Sequence, residues 1–392
     1  MKYWRGYLVA AIFAACTWAF QELASTHTKL VDMIYPYVTR MVQNYLAGWS
    51  GAVDFCVWQA VVLALATAAF ASVVLMIFFR WNPIQWFGWI LSVVSLIVLL
   101  NTGVFGLNVY SGPISEDMRL PETEFNQTQI KDAAIYYRDK ANDLAETVAR
   151  NSDGTVKLPG LDQLNAQAEN GFKHLVYDEY YSVFAGSTAP VKALGLTEQF
   201  SKRGIMGLTV SVTGESAVNM DAPSVMIPYA ICREMCYRMS IASEADNTFA
   251  AFMVCQANED PLFQYAGYIV AYQHCLDALP GEAAKIIAAH ANSQLREDLQ
   301  IWNEFISRGI TEENAQEKEL VAEDVAKLMV SWNYLDVTLP AMTEPEVDFD
   351  PMDEYQVDLS TTVNLITPEV EEEEPGETTE EGESPEETEE AA

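Results

Sequence analysis

Phe55–Phe79 reads FCVWQAVVLALATAAFASVVLMIFF, 25 residues without a formal charge. A bilayer core is crossed by an α-helix of about 20 apolar residues, so this run predicts a membrane span. Immediately downstream, RWNP (Arg80–Pro83) makes a tight turn, and a second uncharged run extends from Ile84 to Tyr110. Trp86, Trp89, Phe105 and Tyr110 cluster near its ends, where rings sit at a lipid–water boundary. Two such runs with so short a turn between them predict paired spans rather than two core helices.

Upstream lies a third apolar run, Gly6–Phe20 (GYLVAAIFAACTWAF), preceded by Lys2 and Arg5. It is short for a span unless Tyr3, Trp4 and Gln21–Ala24 complete it. A cleaved signal peptide fits the basic start and the length. Phe13–Cys16 (FAAC) has a lipoprotein-like look, but Thr17–Phe20 continue the apolar run where a mature lipoprotein turns polar. An uncleaved span is the expectation, which places the spans at about 4–24, 55–79 and 84–110. Lys2, Arg5 and Arg80 would be cytoplasmic by the positive-inside rule. Three spans then deliver everything after Ser111 to the far side, giving a multi-pass cell-membrane protein with its N-terminus cytoplasmic. Between the first two spans, Lys29–Ala47 predicts an amphipathic helix (Leu30, Ile34, Val38, Met41, Tyr45), resting on the membrane's outer face or on the soluble domain.

The 392 residues carry a formal charge of −34. That charge excludes nucleic acid as a partner, since a phosphate backbone would be repelled. It argues equally against a domain lying flat on an anionic lipid surface. Much of the acid follows Pro340, after which there is no Lys or Arg. The chain therefore divides into a transmembrane region at 1–110, a polar linker at 111–128, a helical domain at 129–340, an acidic segment at 341–366 with a short strand near Gln356–Ile366, and a Glu-rich tail at 367–392. The tail has too little apolar surface to offset its ordering entropy and is expected to be disordered.

Within the domain, helical periodicity covers Gln129–Arg150, Leu161 to about Tyr180, Met226–Ser240, Glu244–Ala257 and about Phe263–Leu279. A long helix is expected from Gly281 toward Arg308, and another capped by Thr311 that runs to about Trp332. Alternating β-branched residues in Gly204–Gly214 (GIMGLTVSVTG) predict one strand. Of six cysteines, Cys232, Cys236, Cys255 and Cys275 fall in this helical stretch, where packing is the plain reading and a disulfide between helices the alternative.

GIMGLTVSVTGESAVN (Gly204–Asn219), REMCY (Arg233–Tyr237), EADNTFAAFMVC (Glu244–Cys255) and PLFQYAGY (Pro261–Tyr268) stand in an order and spacing that resembles the bacterial membrane-anchored family called domain of unknown function 3810. The resemblance implies a relative of the zinc metallopeptidases: three spans and a mostly α, zincin-like extracytoplasmic domain carrying an HExxH helix. In HExxH, two His four apart lie on one face and hold zinc, and the Glu beside the first polarises the metal-bound water. The resemblance puts Arg233 and Tyr237 at the two His positions, keeps Glu234 as a vestigial general base, and looks to Glu244 or Asp246 for the third ligand. Protonated Arg cannot ligate a cation, and Tyr rarely ligates zinc. The expectation is a degenerate domain without zinc or other cofactor, with Arg233 in the metal's place and paired with Glu244 or Asp246. Such a pseudo-metallopeptidase would bind a peptide or envelope protein, its other partner being the lipid bilayer.

Two other readings remain. Cys232 and Cys236, also four apart, lie on a face rotated by about 100° from Arg233 and Tyr237. With Cys255 or His274 they would make a thiolate zinc site, and with Glu244 or Asp246 an active metal-dependent peptidase on non-standard ligands. The third reading is a structural membrane anchor with an acidic outer tail. His27, His174 and His290 are isolated, and no phosphate loop or serine elbow is present.

Overall fold

A computed structural model describes residues 4–121 and 124–338 of the chain. The predicted strand near Gln356–Ile366 and the Glu-rich tail lie outside the described residues. Four helices open the chain: α1 (Arg5–Thr26), α2 (Thr28–Ser50), α3 (Val57–Phe78) and α4 (Pro83–Val104). Of these, α1, α3 and α4 are long and apolar enough to cross a membrane. The RWNP turn is a helix start: Asn82 caps α4 by accepting from the Ile84 and Gln85 amides, and Pro83 occupies the first turn, where its missing N–H costs nothing. Helices α1 and α4 run parallel and meet at glycine. A Cβ on Gly6 would stand 2.5 Å from the Gly88 carbonyl carbon, so only bare backbone permits this approach. None of the residues of α3 is buried, and one of its links to α4 is the Trp86 Nε1–Ser72 Oγ hydrogen bond of 3.0 Å.

Helix α2 matches the predicted amphipathic helix and is two-faced. Pro36, Thr39, Gln43 and Ala47 are buried, whereas Leu30, Met33, Ile34, Tyr37, Val38 and Met41 on the other side are exposed. Gln43 Nε2 donates to the Ser211 carbonyl at 2.9 Å, and the Tyr35 hydroxyl donates to the Thr102 carbonyl at 3.0 Å. The helix thus bridges the C-terminal end of α4 and the rest of the chain.

The remainder runs α5 (Ile114–Asp117), α6 (Gln127–Thr147), α7 (Leu161–Tyr177), β1 (Lys192–Ala193), α8 (Thr197–Ser201), β2 (Gly207–Val210), β3 (Glu215–Val218), α9 (Ile227–Arg238), α10 (Glu244–Gln256), α11 (Pro261–Asp277), α12 (Gly281–Ala288), α13 (Ser293–Ser307) and α14 (Ala315–Asn333). It is mainly helical, as the periodicity predicts. The core is built on α9, α10 and α11, with α6, α7 and α14 packed round them. The small sheet has order β1-β3-β2, with β1 parallel and β2 antiparallel to β3, so β2 is an edge strand.

The one strand expected within Gly204–Gly214 is β2, and a turn joins it to β3, which the sequence pattern does not predict. Other local expectations are corrected. The helix expected from Gly281 to Arg308 breaks at Ala289–Asn292, because Asn292 caps a new helix through the Leu295 amide and is itself gripped by Asn142. The last helix starts at Ala315; Thr311 lies in a preceding turn whose amide donates to Asn314 Oδ1. In the stretch expected to be a linker, Ile114, Met118 and Leu120 are buried in the core.

One buried ion pair fastens the sheet to the start of α3. Lys192 Nζ lies 2.7 Å from Glu215 Oε1 and donates to the Ser50 and Phe55 carbonyls at 2.8 and 2.9 Å. Glu215 accepts the Val57 and Trp58 amides, each at 2.8 Å. A carboxylate at a helix N-terminus meets both unpaired amides and the positive end of the helix dipole.

Candidate functional site

Helix α9 follows the sheet directly and presses Glu234, which is 1% exposed, against β2 and β3. Glu234 Oε2 lies 2.7 Å from Thr209 Oγ1, which lies 2.8 Å from Ser216 Oγ, which in turn donates to the Glu234 carbonyl at 2.8 Å. Thr209 Oγ1 is the donor to Glu234 Oε2. Burial raises the Glu234 pKa, against the opposing pull of Arg233 and Thr209. Gly207 on the edge strand makes room: a Cβ there would meet Glu234 Cγ at 2.6 Å.

Arg233 lies over this group. Its Nη1 is 3.3 Å from Glu234 Oε1, and its Nη2 is 3.3 Å from both Glu244 Oε1 and the Tyr237 hydroxyl. The guanidinium carbon stands 5.2 Å from the centre of the Tyr237 ring. Burial works against the charge on Arg233, but facing Tyr237, Glu234, Tyr229 and Glu244 outweigh it and hold its pKa above the ordinary arginine value. Burial raises the Tyr237 pKa, so the phenol is neutral at physiological pH.

Arg233, Glu234, Tyr237, Thr209 and Gly207 line a cleft of about 320 Å³. Its other wall is Asn101 and Phe105, from the end of α4, and Asn101 Oδ1 accepts from Ser211 Oγ at 2.8 Å. The cleft therefore opens beside the C-terminal end of a candidate span.

Of the acids expected beside Arg233, Glu244 is there and Asp246 is not. Two positions along α10 turn a side chain by about 200°. Asp246 lines a separate pocket with Asp117 and Ile114. Burial raises its pKa to about 6, with Asp324 and Asp117 adding to the shift.

Cys232, Cys236, Cys255 and Cys275 are completely buried, and all six cysteines are free thiols. Cys255 lies against Cys232, and burial pushes the Cys255, Cys236 and Cys275 pKa values up, which holds them as thiols. His274 is kept neutral by burial, its pKa lowered to about 4. Among the described residues no group of three or more His, Cys, Asp or Glu is placed to hold a metal ion.

Thr209, Ser216, Gly207 and Asn101 belong to the site and are not among the residues singled out from sequence. Arg238 on α9 lies outside the cleft wall; it is 1% exposed, donates to the Ala189 carbonyl and has its pKa lowered to about 10 by burial, against the pull of Glu234. The alternation of Thr and Ser in GLTVSVTGES is the available signal, since it puts hydroxyls on one face of a strand pair.

Fold and site define a helical protein with three candidate membrane spans and a closed acid–guanidinium cluster beside an edge strand. The chain belongs to the family described as "Protein of unknown function (DUF3810)", which it matches over residues 31–325. No curated protein and no solved structure matches it.

Proposed function

We propose that this protein is a membrane-anchored, non-catalytic relative of zinc metallopeptidases, which holds a peptide or protein segment in the cleft beside Glu234 on the extracytoplasmic side. One observation carries this reading: the Arg233 guanidinium touches Glu234, Glu244 and Tyr237 together. In the metallopeptidase arrangement those positions are the general base and two ligands of the dication, and Arg233 itself stands at the remaining ligand position. A fixed cation thus substitutes for the metal's charge without its open coordination site.

Zinc does not fit these residues. Arg has no lone pair to offer while protonated, and a neutral phenol is a poor zinc ligand. Glu244 alone remains as a conventional donor. Without a metal to lower the pKa of bound water from 15.7 to about 7, Glu234 faces an unactivated nucleophile. The edge strand β2 and the cleft stay available, and an extended segment paired to an edge strand is held chiefly by main-chain hydrogen bonds.

Metal analysis of the purified full chain tests this. The wild type should carry far less than one zinc per chain and melt at the same temperature with and without chelator. The Arg233→His/Tyr237→His double variant should gain zinc and become chelator-sensitive. Stoichiometric zinc in the wild type would overturn the reading, and so would a folded double variant that binds none.

A further inference from the structure

A second pocket, of about 210 Å³, lies between α2, the chain leaving α4 and the first turn of α10. It is lined by Asp32 and Arg40 of α2, Asn108 and Ser111 after α4, and Asp117 and Asp246. We propose that this pocket binds the headgroup of a zwitterionic phospholipid, with a primary ammonium held among the acids and its phosphate facing Arg40. The inference requires that α1, α3 and α4 cross a bilayer, and it is independent of what Glu234 does.

The pocket holds more acceptors than donors. Asn108 is only 4% exposed; its Nδ2 donates to Thr39 Oγ1 and the Phe105 carbonyl, while its Oδ1 has no donor among the described residues. Ser111 Oγ is likewise unpartnered there. A buried acceptor left without a donor is costly, so an occupant that donates several hydrogens fits. A primary ammonium brings three and accepts none. The carboxylates sit in a buried, like-charged setting: burial, and then Asp32 beside it, raise the pKa of Asp117 against the pull of Arg40, as burial raises that of Asp246 against its hydrogen bond from the Ile114 backbone.

A metal ion would demand convergence, but the acids line the wall without three of them gathering round one point. The volume is that of about seven waters at roughly 30 Å³ each, which suits an organic cation of several atoms. Arg40 gives the pocket its opposite pole. Its Nε donates to Ser240 Oγ and its Nη1 to the Ser182 carbonyl, and it stacks on Tyr37 at 4.9 Å. Two of its nitrogens are thereby anchored, which holds the guanidinium in a pose suited to phosphate.

Position selects a lipid over a free amine. Helix α2 begins two residues after α1 ends and finishes seven residues before α3 begins, so it lies at the level where both candidate spans emerge. Its exposed apolar face, Leu30, Met33, Ile34, Tyr37, Val38 and Met41, is that of a helix lying in the headgroup boundary. Met33 and Tyr37 belong both to that face and to the pocket wall, which puts the mouth among the headgroups.

The full chain, purified in detergent, can be melted with short-chain phosphatidylethanolamine, short-chain phosphatidylcholine, phosphoethanolamine or calcium chloride added. The ethanolamine lipid should raise the melting temperature well above the choline lipid, whose methylated ammonium has no hydrogen to donate. Asp117→Asn/Asp246→Asn should weaken that response by about tenfold or more, as expected when charge-assisted hydrogen bonds are lost. Arg40→Gln serves as a second variant if the first fails to fold. Equal responses to both lipids would overturn the proposal. Equal protection by phosphoethanolamine would overturn the lipid assignment in favour of a free zwitterion, and protection by calcium alone would show a metal site instead.

Discussion

Glu234 is closed in so tightly that small changes around it have definite signs. Gly207→Ala places a methyl group 2.6 Å from Glu234 Cγ. Overpacking of this kind typically costs about 1–3 kcal/mol, and the expected outcome is a lower melting temperature with the Glu234–Thr209 hydrogen bond broken. Asp246 gives a cleaner dependence on pH. Its folded pKa is raised above its ordinary value, so the stability tied to its protonated form is present below 3.8 and disappears as pH rises to about 6. Wild type should therefore lose stability relative to Asp246→Asn across that interval and run parallel to it above. A variant whose melting temperature tracks the wild type from pH 4 to pH 7 would contradict this. Helical spacing puts Arg233 and Tyr237 on one face of α9, and the family resemblance, not spacing, points to Glu234 and to Glu244 or Asp246 beside them. Neither separates Glu244 from Asp246, since both lie in the first turn of α10 and only the packing of α10 against α5 decides which way each faces.

Helices are legible in the sequence because each repeats an apolar residue every three or four positions over ten residues or more, and most of their expected ends fall within a few residues of those observed. Strand β3 is not. Glu215–Val218 is short and buried on both faces, so it lacks the alternation that marks a half-exposed strand. The break between α12 and α13 escapes a local reading because its cap, Asn292, works with Asn142, which is far away in sequence. Thr209 and Ser216 are hidden for the same reason: what makes them part of the site is Glu234 on another element. The most consequential cross-link between elements is Lys192 with Glu215. Glu215→Ala leaves a buried ammonium beside two unpaired helix amides, and breaking a buried pair from one side costs roughly 3–5 kcal/mol. The variant should melt well below the wild type, whereas replacing the pair by Lys192→Met/Glu215→Leu should recover part of the loss. Should Glu215→Ala melt like the wild type, the pair carries no structural weight.

Across the whole chain, the uncharged runs identify the three candidate spans, and their number follows from length and composition alone. Their arrangement does not. That α1 pairs with α4 depends on Gly6 meeting Gly88, two glycines more than eighty residues apart whose partnership no local pattern announces. The helical part that follows α4 packs on α2 and on the ends of α3 and α4 through side chains spread over the sequence, including Gln43, Asn101 and Glu215.

The knot between Lys192, Glu215 and the first amides of α3 has a mechanical meaning. With α3 in a bilayer, the sheet is moored to a transmembrane post by several short bonds rather than hung on a tether. The Glu234 cleft then rides at one fixed height. On the proposed function, an occupant would itself have to arrive close along the lipid surface, which favours stretches of chain adjoining another protein's own membrane segment over loops that stand far from it.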